Sequence, residues 1–290
     1  MNAAFQNYDS PARSDPRPIG VFDSGVGGLT VMRALSELLP QEDIIYLGDT
    51  ARVPYGNRAA ETVRRYALNA TDLLAERGVK AIVIACNTAT SYALDTLRAH
   101  HTAPVFGVIA PAARRAAAAT QSGHIAVIGT RGTVRSGCYP AEIRALGAEL
   151  MVHQKACPLF VPLAEEGWIE GDVPREVAQK YLEEFAATQV DTMILGCTHY
   201  PLLRAVIAQA LSDAGARPIT LVDSAESTAQ ELRAHLVEQG LLHPARAEDG
   251  RARRLHFLLT DFPDGFQTTA ERFFGGPIGT FEHVDIPAGA

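Results

Sequence analysis

Cysteine is scarce in this sequence: four residues in 290, at positions 86, 138, 157 and 197, with no C-x-x-C pair among them. That excludes both a disulfide framework and a zinc ribbon, and the thiols are expected to be reduced. Long apolar runs are missing too. None approaches the roughly 18 residues that span a bilayer, and the opening "MNAAFQNYDSPARSDPRP" has no apolar stretch of the kind that marks a secretion signal. Cytoplasmic residence, with no membrane partner, is the default expectation. Positive charge is in deficit, since 26 Lys and Arg against 33 Asp and Glu leave a formal net charge of -7. This argues against nucleic acid as the main partner, because polyanions are held by surplus cations. The local basic patch "RARR" at 251–254 reads as a solvated loop.

What is present is enough apolar residue, 47%, to build one large domain or two modest ones without metal or disulfide support. From Ile19 onward, β-branched runs alternate with amphipathic stretches. "IGVFD", "DIIYLGD", "KAIVIAC", "PVFGVI", "HIAVIGT", "ELMVHQ", "DTMILGC", "PITLVD" and "RLHFLLT" read as strands. Between them, "ETVRRYALNATDLLAERG" repeats Val63, Tyr66, Ala67, Ala70, Leu73 and Leu74 at helical spacing and stops at Gly78. Such alternation predicts an α/β fold with mostly parallel sheets.

Two segments look alike. "IGVFDSGVGGLTV" (19–31) and "IAVIGTRGTVRSG" (125–137) each carry a strand into a loop of small and hydroxyl residues. Each is followed further on by an apolar run that ends in cysteine: Cys86, before Asn87 and Thr88, and Cys197, before Thr198 and His199. The pattern suggests a weak internal repeat, hence two pseudo-symmetric lobes, against the alternative of chance likeness between α/β units. Facing lobes bring both cysteines to one cleft, at the carboxyl ends of parallel strands where open sheets bind ligands.

A cysteine at the end of a buried strand is commonly just a small hydrophobe. An inert one has no need of hydrogen-bonding neighbours, however, whereas both of these have them. Two thiols on opposite sides of one carbon can exchange its proton: one removes it, and the other supplies a proton to the opposite face. With an unperturbed pKa near ~8.5 a thiol suits proton transfer at neutral pH. If each sulfur comes within about 3.5 Å of the carbon, the two stand roughly 7 Å apart with substrate between them. That chemistry needs neither metal nor organic cofactor.

The remaining motifs are less decisive. In "DSGVGGLT" Gly25, Gly27 and Gly28 allow close backbone approach, but Thr30 stands where a dinucleotide fingerprint has its third glycine, so NAD is a poor fit. Asp23 is either a solvated turn former or an aid to a nearby thiol, and Ser24 offers a hydroxyl to a carboxylate. His199 is either structural or a proton-handling partner of Cys197. Zinc at that pair lacks a third ligand. "CYPAEIR" (138–144) has the C-x5-R spacing of cysteine phosphatases, but Pro140 and Glu142 spoil an anion cradle, and it reads as the start of a helix.

Taken together, "FDSGVGGLTV" (22–31), "DTARVPYG" (49–56), "ACNTAT" (85–90), "VIGTRGTV" (127–134) and "LGCTHYPLL" (195–203) resemble the glutamate racemases of the cofactor-independent aspartate/glutamate racemase superfamily. The likeness runs from about residue 19 to the end, where "FEHVDI" resembles the family's last strand. It leaves out the first 18 residues, expected to be a disordered tail, and the charged linker near 243–254.

The resemblance implies interconversion of L- and D-glutamate for bacterial peptidoglycan, without a cofactor or metal and with glutamate as the small-molecule partner. It assigns the two bases to Cys86 and Cys197, their support to Asp23 and His199, and substrate contacts to Asp23, Ser24, Tyr55, Gly56, Asn87, Thr88, Thr133, Thr198 and His199. It also implies a discontinuous first lobe, 19–108 with 220–290, around a second lobe, 109–219, with the active site in the cleft between them. A racemase of aspartate or another acidic amino acid is the nearest alternative, and a non-catalytic binder of acidic ligands the next. The oligomeric state, a homodimer included, is left open.

Overall fold

Strand β1 (Ile19–Asp23) is buried at all five positions, as a continuous apolar run should be when helices cover both faces of a parallel sheet. The computed structural model describes residues 14–147, 149–244, 253–262 and 264–286. After β1 the chain forms α1 (Leu29–Leu38), β2 (Ile44–Gly48), α2 (Ala60–Glu76), β3 (Ala81–Ile84), α3 (Asn87–His100) and β4 (Val105–Gly107). There follow α4 (Ile109–Ala119), β5 (His124–Gly129), α5 (Arg131–Ser136), α6 (Cys138–Leu146), β6 (Met151–Ala156), α7 (Phe160–Glu165), α8 (Asp172–Leu182) and β7 (Thr192–Gly196). The rest is α9 (Arg204–Asp213), β8 (Thr220–Asp223), α10 (Ser224–Glu238), β9 (Leu255–Leu259), α11 (Phe266–Phe274) and β10 (Phe281–His283).

These strands make two sheets, ordered β10-β9-β2-β1-β3-β4 and β6-β5-β7-β8, with every pairing parallel. Four strands of the first sheet, β2-β1-β3-β4, therefore match the whole second sheet in order. The weak repeat read from the two cysteine segments has its counterpart in this topology. In each sheet the strand order reverses between the first strand and the third, so a crevice opens there at the carboxyl ends.

The helix expected between β2 and β3 is α2, with Val63, Ala67, Ala70 and Leu74 buried along one face. Gly78 ends it at φ +71°, a conformation that suits glycine. Cys138 opens α6, as read from "CYPAEIR".

Three expectations need correction. Strand β8 pairs with β7, so a boundary at 220 falls on the wrong side of it; the chain re-enters the first sheet only with β9. Of the expected tail, residues 1–13 lie outside the described residues, but Asp15 is buried and its N–H donates to Leu242 O at 3.2 Å. Of "RARR", residues 251 and 252 lie outside the described residues, while Arg253 is partly buried and donates to Ser36 O.

At the amino ends of the strands, opposite the cysteine loops, Lys80 and Glu42 form an ion pair at 2.5 Å with both side chains fully buried. Lys80 Nζ also donates to Asp15 O and Leu241 O, each at 2.8 Å, and Glu42 Oε1 accepts from His243 N at 2.7 Å. One ammonium thus joins the start of β3 to both the N-terminal segment and the end of α10. Replacing Lys80→Met strands a buried carboxylate and two carbonyls, and should cost about 3–5 kcal/mol in urea unfolding. The double replacement with Glu42→Leu should recover much of that loss. A single-variant loss no larger than that of the double variant would refute this account.

Candidate active site

The loop after β1 carries Asp23 and Ser24. Asp23 is only 1% exposed, so it is not a solvated turn former. Its Oδ2 accepts from Gly25 N at 2.9 Å, and its Oδ1 has no hydrogen-bond partner. Tyr46, buried on β2, donates its hydroxyl to Gly25 O at 2.7 Å and fixes the loop from below. Ser24 Oγ lies 3.4 Å from Cys86 Sγ.

Cys86 occupies the N-cap position of α3, where its sulfur accepts from Ala89 N at 3.5 Å. The thiol thus takes a place usually filled by a serine or threonine oxygen, at the positive end of a helix. The next residue, Asn87, accepts a hydrogen bond from Tyr139 OH of the second lobe at 2.8 Å through Oδ1. That bond fixes the orientation of the amide and leaves Nδ2 buried without a partner. Asp23 Oδ1 and Asn87 Nδ2 are thus a buried acceptor and a buried donor without protein partners, of which Asn87 borders the cavity described below. Thr88 Oγ1 lies 2.9 Å from Thr130 Oγ1 and 3.3 Å from Thr133 Oγ1, a hydroxyl cluster joining the two lobes.

Cys197 ends the apolar run of β7 at the position equivalent to Cys86 on β3, but its partners differ. His199 Nδ1 lies 3.8 Å from Cys197 Sγ, and His199 Nε2 lies 2.9 Å from Glu165 Oε1 at the end of α7. Glu165 is held in turn by the first lobe: its carbonyl accepts from Arg272 Nη1 at 3.0 Å and Thr269 Oγ1 at 3.4 Å, both on α11. Phe273, on the same helix, meets the His199 ring edge-on at 5.0 Å between centroids.

These groups border one cavity of about 460 Å³. It is lined by Ser24, Tyr55, Gly56, Cys86, Asn87, Thr88, Cys197, Thr198 and His199 among the expected residues. Asp23 and Thr133 are not on its wall. Asp23 turns back onto its own loop, and Thr133 lies fully buried behind Thr88 and Thr130. Sequence reasoning missed Thr130, Arg131, Glu165 and Tyr181, which also line it. Thr130 had a readable signal, because it stands at the strand end of the repeat as Ser24 and Cys86 do in theirs. Glu165 had none: it ends an ordinary short helix and becomes a site residue only through His199.

Burial pushes the Cys86 thiol up to about 12, and the charge of Asp23 adds to the rise, against the Ser24 and Ala89 hydrogen bonds. Burial also raises the Asp23 carboxyl above its ordinary value, against the neighbouring His199 charge. For His199 burial works downward, but the hydrogen bonds to Cys197 and Glu165 outweigh it and lift the imidazole from 6.5 to about 10. An imidazolium there can donate to the sulfur and the carboxylate at once.

With this geometry in place, the comparisons decide the family. The family model described as Asp/Glu/Hydantoin racemase matches residues 19–232. The chain belongs to that family. It is 47% identical to the glutamate racemase of Geobacter metallireducens over 94% of this chain and 98% of that one. It is 49% identical to the glutamate racemase of Thermus thermophilus over 89% and 93%. Among solved structures, the Francisella tularensis glutamate racemase in complex with D-glutamate superposes with a TM-score of 0.86 at 35% identity, covering 94% of this chain and 98% of that chain. The Thermus thermophilus enzyme in complex with beta-chloro-D-alanine gives 0.82 at 46%, with the same coverage. In the terms of this racemase family, the two thiol loops and their acid and imidazole neighbours form the candidate active site.

The lobes meet closely beside it. A Cβ on Gly27 would fall 2.2 Å from Thr198 Oγ1 and 2.5 Å from the His199 ring, so only glycine lets the β1 loop reach the second lobe. Gly27→Ala should therefore lower stability by about 1–3 kcal/mol and shift the Thr198 loop in a crystal structure; an unmoved loop at full stability would contradict the packing. His199 gives a second test. Its folded pKa is raised, so its contribution is complete below about pH 6.5 and is lost as pH rises through about 10. Urea midpoints should fall across that window, and His199→Gln should flatten the decline.

Proposed function

We propose that this protein interconverts L- and D-glutamate by moving the Cα proton between Cys86 and Cys197, on opposite faces of the substrate. The observation that carries the reading is that two thiols, from equivalent loops of two lobes, border a single cavity. A binding protein has no need of that pairing. Kinship with chains named glutamate racemase over nearly the whole length favours glutamate as the substrate.

The surrounding groups fit the chemistry. One thiolate takes the Cα proton while the opposite thiol gives its own, which inverts the centre and leaves the pair ready for the other enantiomer. Asn87 Nδ2, on the cavity wall, is a buried donor for a carboxylate, and Asp23, behind that wall, acts on Cys86 through its charge. An entering ammonium offsets the Asp23 charge, which adds to burial in raising the Cys86 thiol, so substrate itself favours the reactive thiolate. His199, held by Glu165, keeps a proton within reach of Cys197. Hydroxyls of Ser24, Thr88, Thr130 and Thr198, with Tyr55 and Gly56 on the same wall, orient the two carboxylates. The D-glutamate formed is of use in bacterial peptidoglycan, and a cytoplasmic enzyme would meet the substrate there.

The test is incubation with D-glutamate in D2O without added cofactor, following circular dichroism and Cα deuterium by NMR. Loss of optical activity with deuterium entering Cα is expected, and Cys86→Ser or Cys197→Ser should each reduce racemisation by at least about 10³-fold. Full activity in either variant would sink the two-thiol mechanism. Faster turnover of aspartate would reassign the substrate, and inertness toward both acids would favour a non-catalytic binder.

A further inference from the structure

At the end of α3 far from Cys86, three side chains converge that the cavity does not use. His100 is the last residue of α3 and His101 follows it, while Asp72 lies on α2. His100 Nε2 is 2.8 Å from Asp72 Oδ1, and His101 Nε2 is 3.9 Å from the same oxygen. One ligand atom from each residue lies within 4.8 Å of the other two, and no other trio of His, Cys, Asp or Glu does so among the described residues. The stacked pair His124 and His153, 3.2 Å apart, has no third member.

We infer that Asp72, His100 and His101 form a binding site for a divalent transition cation of the zinc class, tying the end of α3 to α2. Two imidazoles and a carboxylate are the donor set such cations prefer. Ligands about 2.0–2.2 Å from a tetrahedral ion stand roughly 3.3 Å apart, and the observed 2.8 and 3.9 Å lie on either side of that spacing.

The backbone explains how neighbours in sequence come to face one point. His101 leaves the helix at φ -94°, ψ 143°, and its ring turns back against α2, where Nε2 lies 2.8 Å from Thr71 Oγ1. The Thr71 hydroxyl also donates to Ala67 O at 2.9 Å, so it accepts from His101 Nε2–H. Binding of the cation at Nε2 moves the ring proton to Nδ1, so the imidazole stays neutral and the contact to Thr71 is given up. The rings of His100 and His101 stand 4.8 Å apart at 88°.

Exposure is graded as a metal site requires. The His101 side chain is 5% exposed, with Asp72 at 43% and His100 at 48%, so one ligand is fixed in a wall while two leave an entry and room for water. The last carbonyls of α3 add negative potential at the same place.

Titrating the full-length protein with Co2+ tests this. The expected result is one cobalt per chain with the visible d–d bands of a low-coordinate Co2+ site and no thiolate charge-transfer band. The melting temperature should rise by about 5 °C at a hundredfold excess over Kd. Asp72→Asn and His100→Gln, both at the surface and expected to fold as wild type by circular dichroism, should each weaken binding at least about tenfold. No binding, equal binding in both variants, or a spectrum dominated by thiolate bands, which would place cobalt at Cys86 and Cys197, would each overturn the assignment.

Discussion

The cavity depends on one constraint: the carboxyl ends of two parallel sheets must face each other closely enough for loops of one lobe to touch loops of the other. A single sheet offers its strand ends to one side only, so a ligand lying on it can be approached from one face. Two sheets with the same strand order, β2-β1-β3-β4 and β6-β5-β7-β8, offer equivalent loops from both sides. The contact itself is made by small groups. Gly27 packs against Thr198 and His199 with no space for a side-chain carbon, and Thr30 Oγ1 reaches Thr198 O at 3.2 Å. Tyr139 reaches Asn87, and Arg272 reaches Glu165, across the same divide.

Equivalent backbones do not give equivalent chemistry. Cys86 caps a helix of 14 residues and answers to a serine hydroxyl, a backbone N–H and the charge of Asp23. Cys197 is followed by a short turn, Tyr200–Leu203, before α9 begins, and its partner is an imidazole. Cys197 and, on the far side, Glu165 both raise the pKa of that imidazole, and Glu165 is placed by α11 of the opposite lobe. The first lobe therefore acts on both thiols: on its own through Asp23 and Ser24, and on the other through Arg272, Glu165 and His199.

Much of this was legible in the sequence because it rests on local signals. The nine apolar runs form strands, Gly78 ends α2, and the paired cysteine loops fall at matching strand ends, since hydrophobic period and turn residues are written into adjacent positions. What escaped was decided by contacts distant in sequence. Strand β8 was set in the wrong lobe because a short apolar run carries no mark of which sheet it will join. Asp15 read as tail, yet a lysine 65 positions away holds it. Glu165 looked like any exposed glutamate at a helix end, and Thr133 looked more available than Thr130, although the helix that begins between them turns Thr133 inward.

The unequal support of the two thiols has a limit set by thermodynamics. Enantiomers in water have equal free energies, so the equilibrium between them is fixed at unity and no arrangement of side chains can favour one product. The ratio kcat/KM must then be the same in both directions, however different Cys86 and Cys197 are. Asymmetry can enter only as a matched change in kcat and KM, or in which proton transfer is slower for each enantiomer. The family's scaffold can therefore tolerate dissimilar partners around its two sulfurs, provided both remain on the wall of the same cavity.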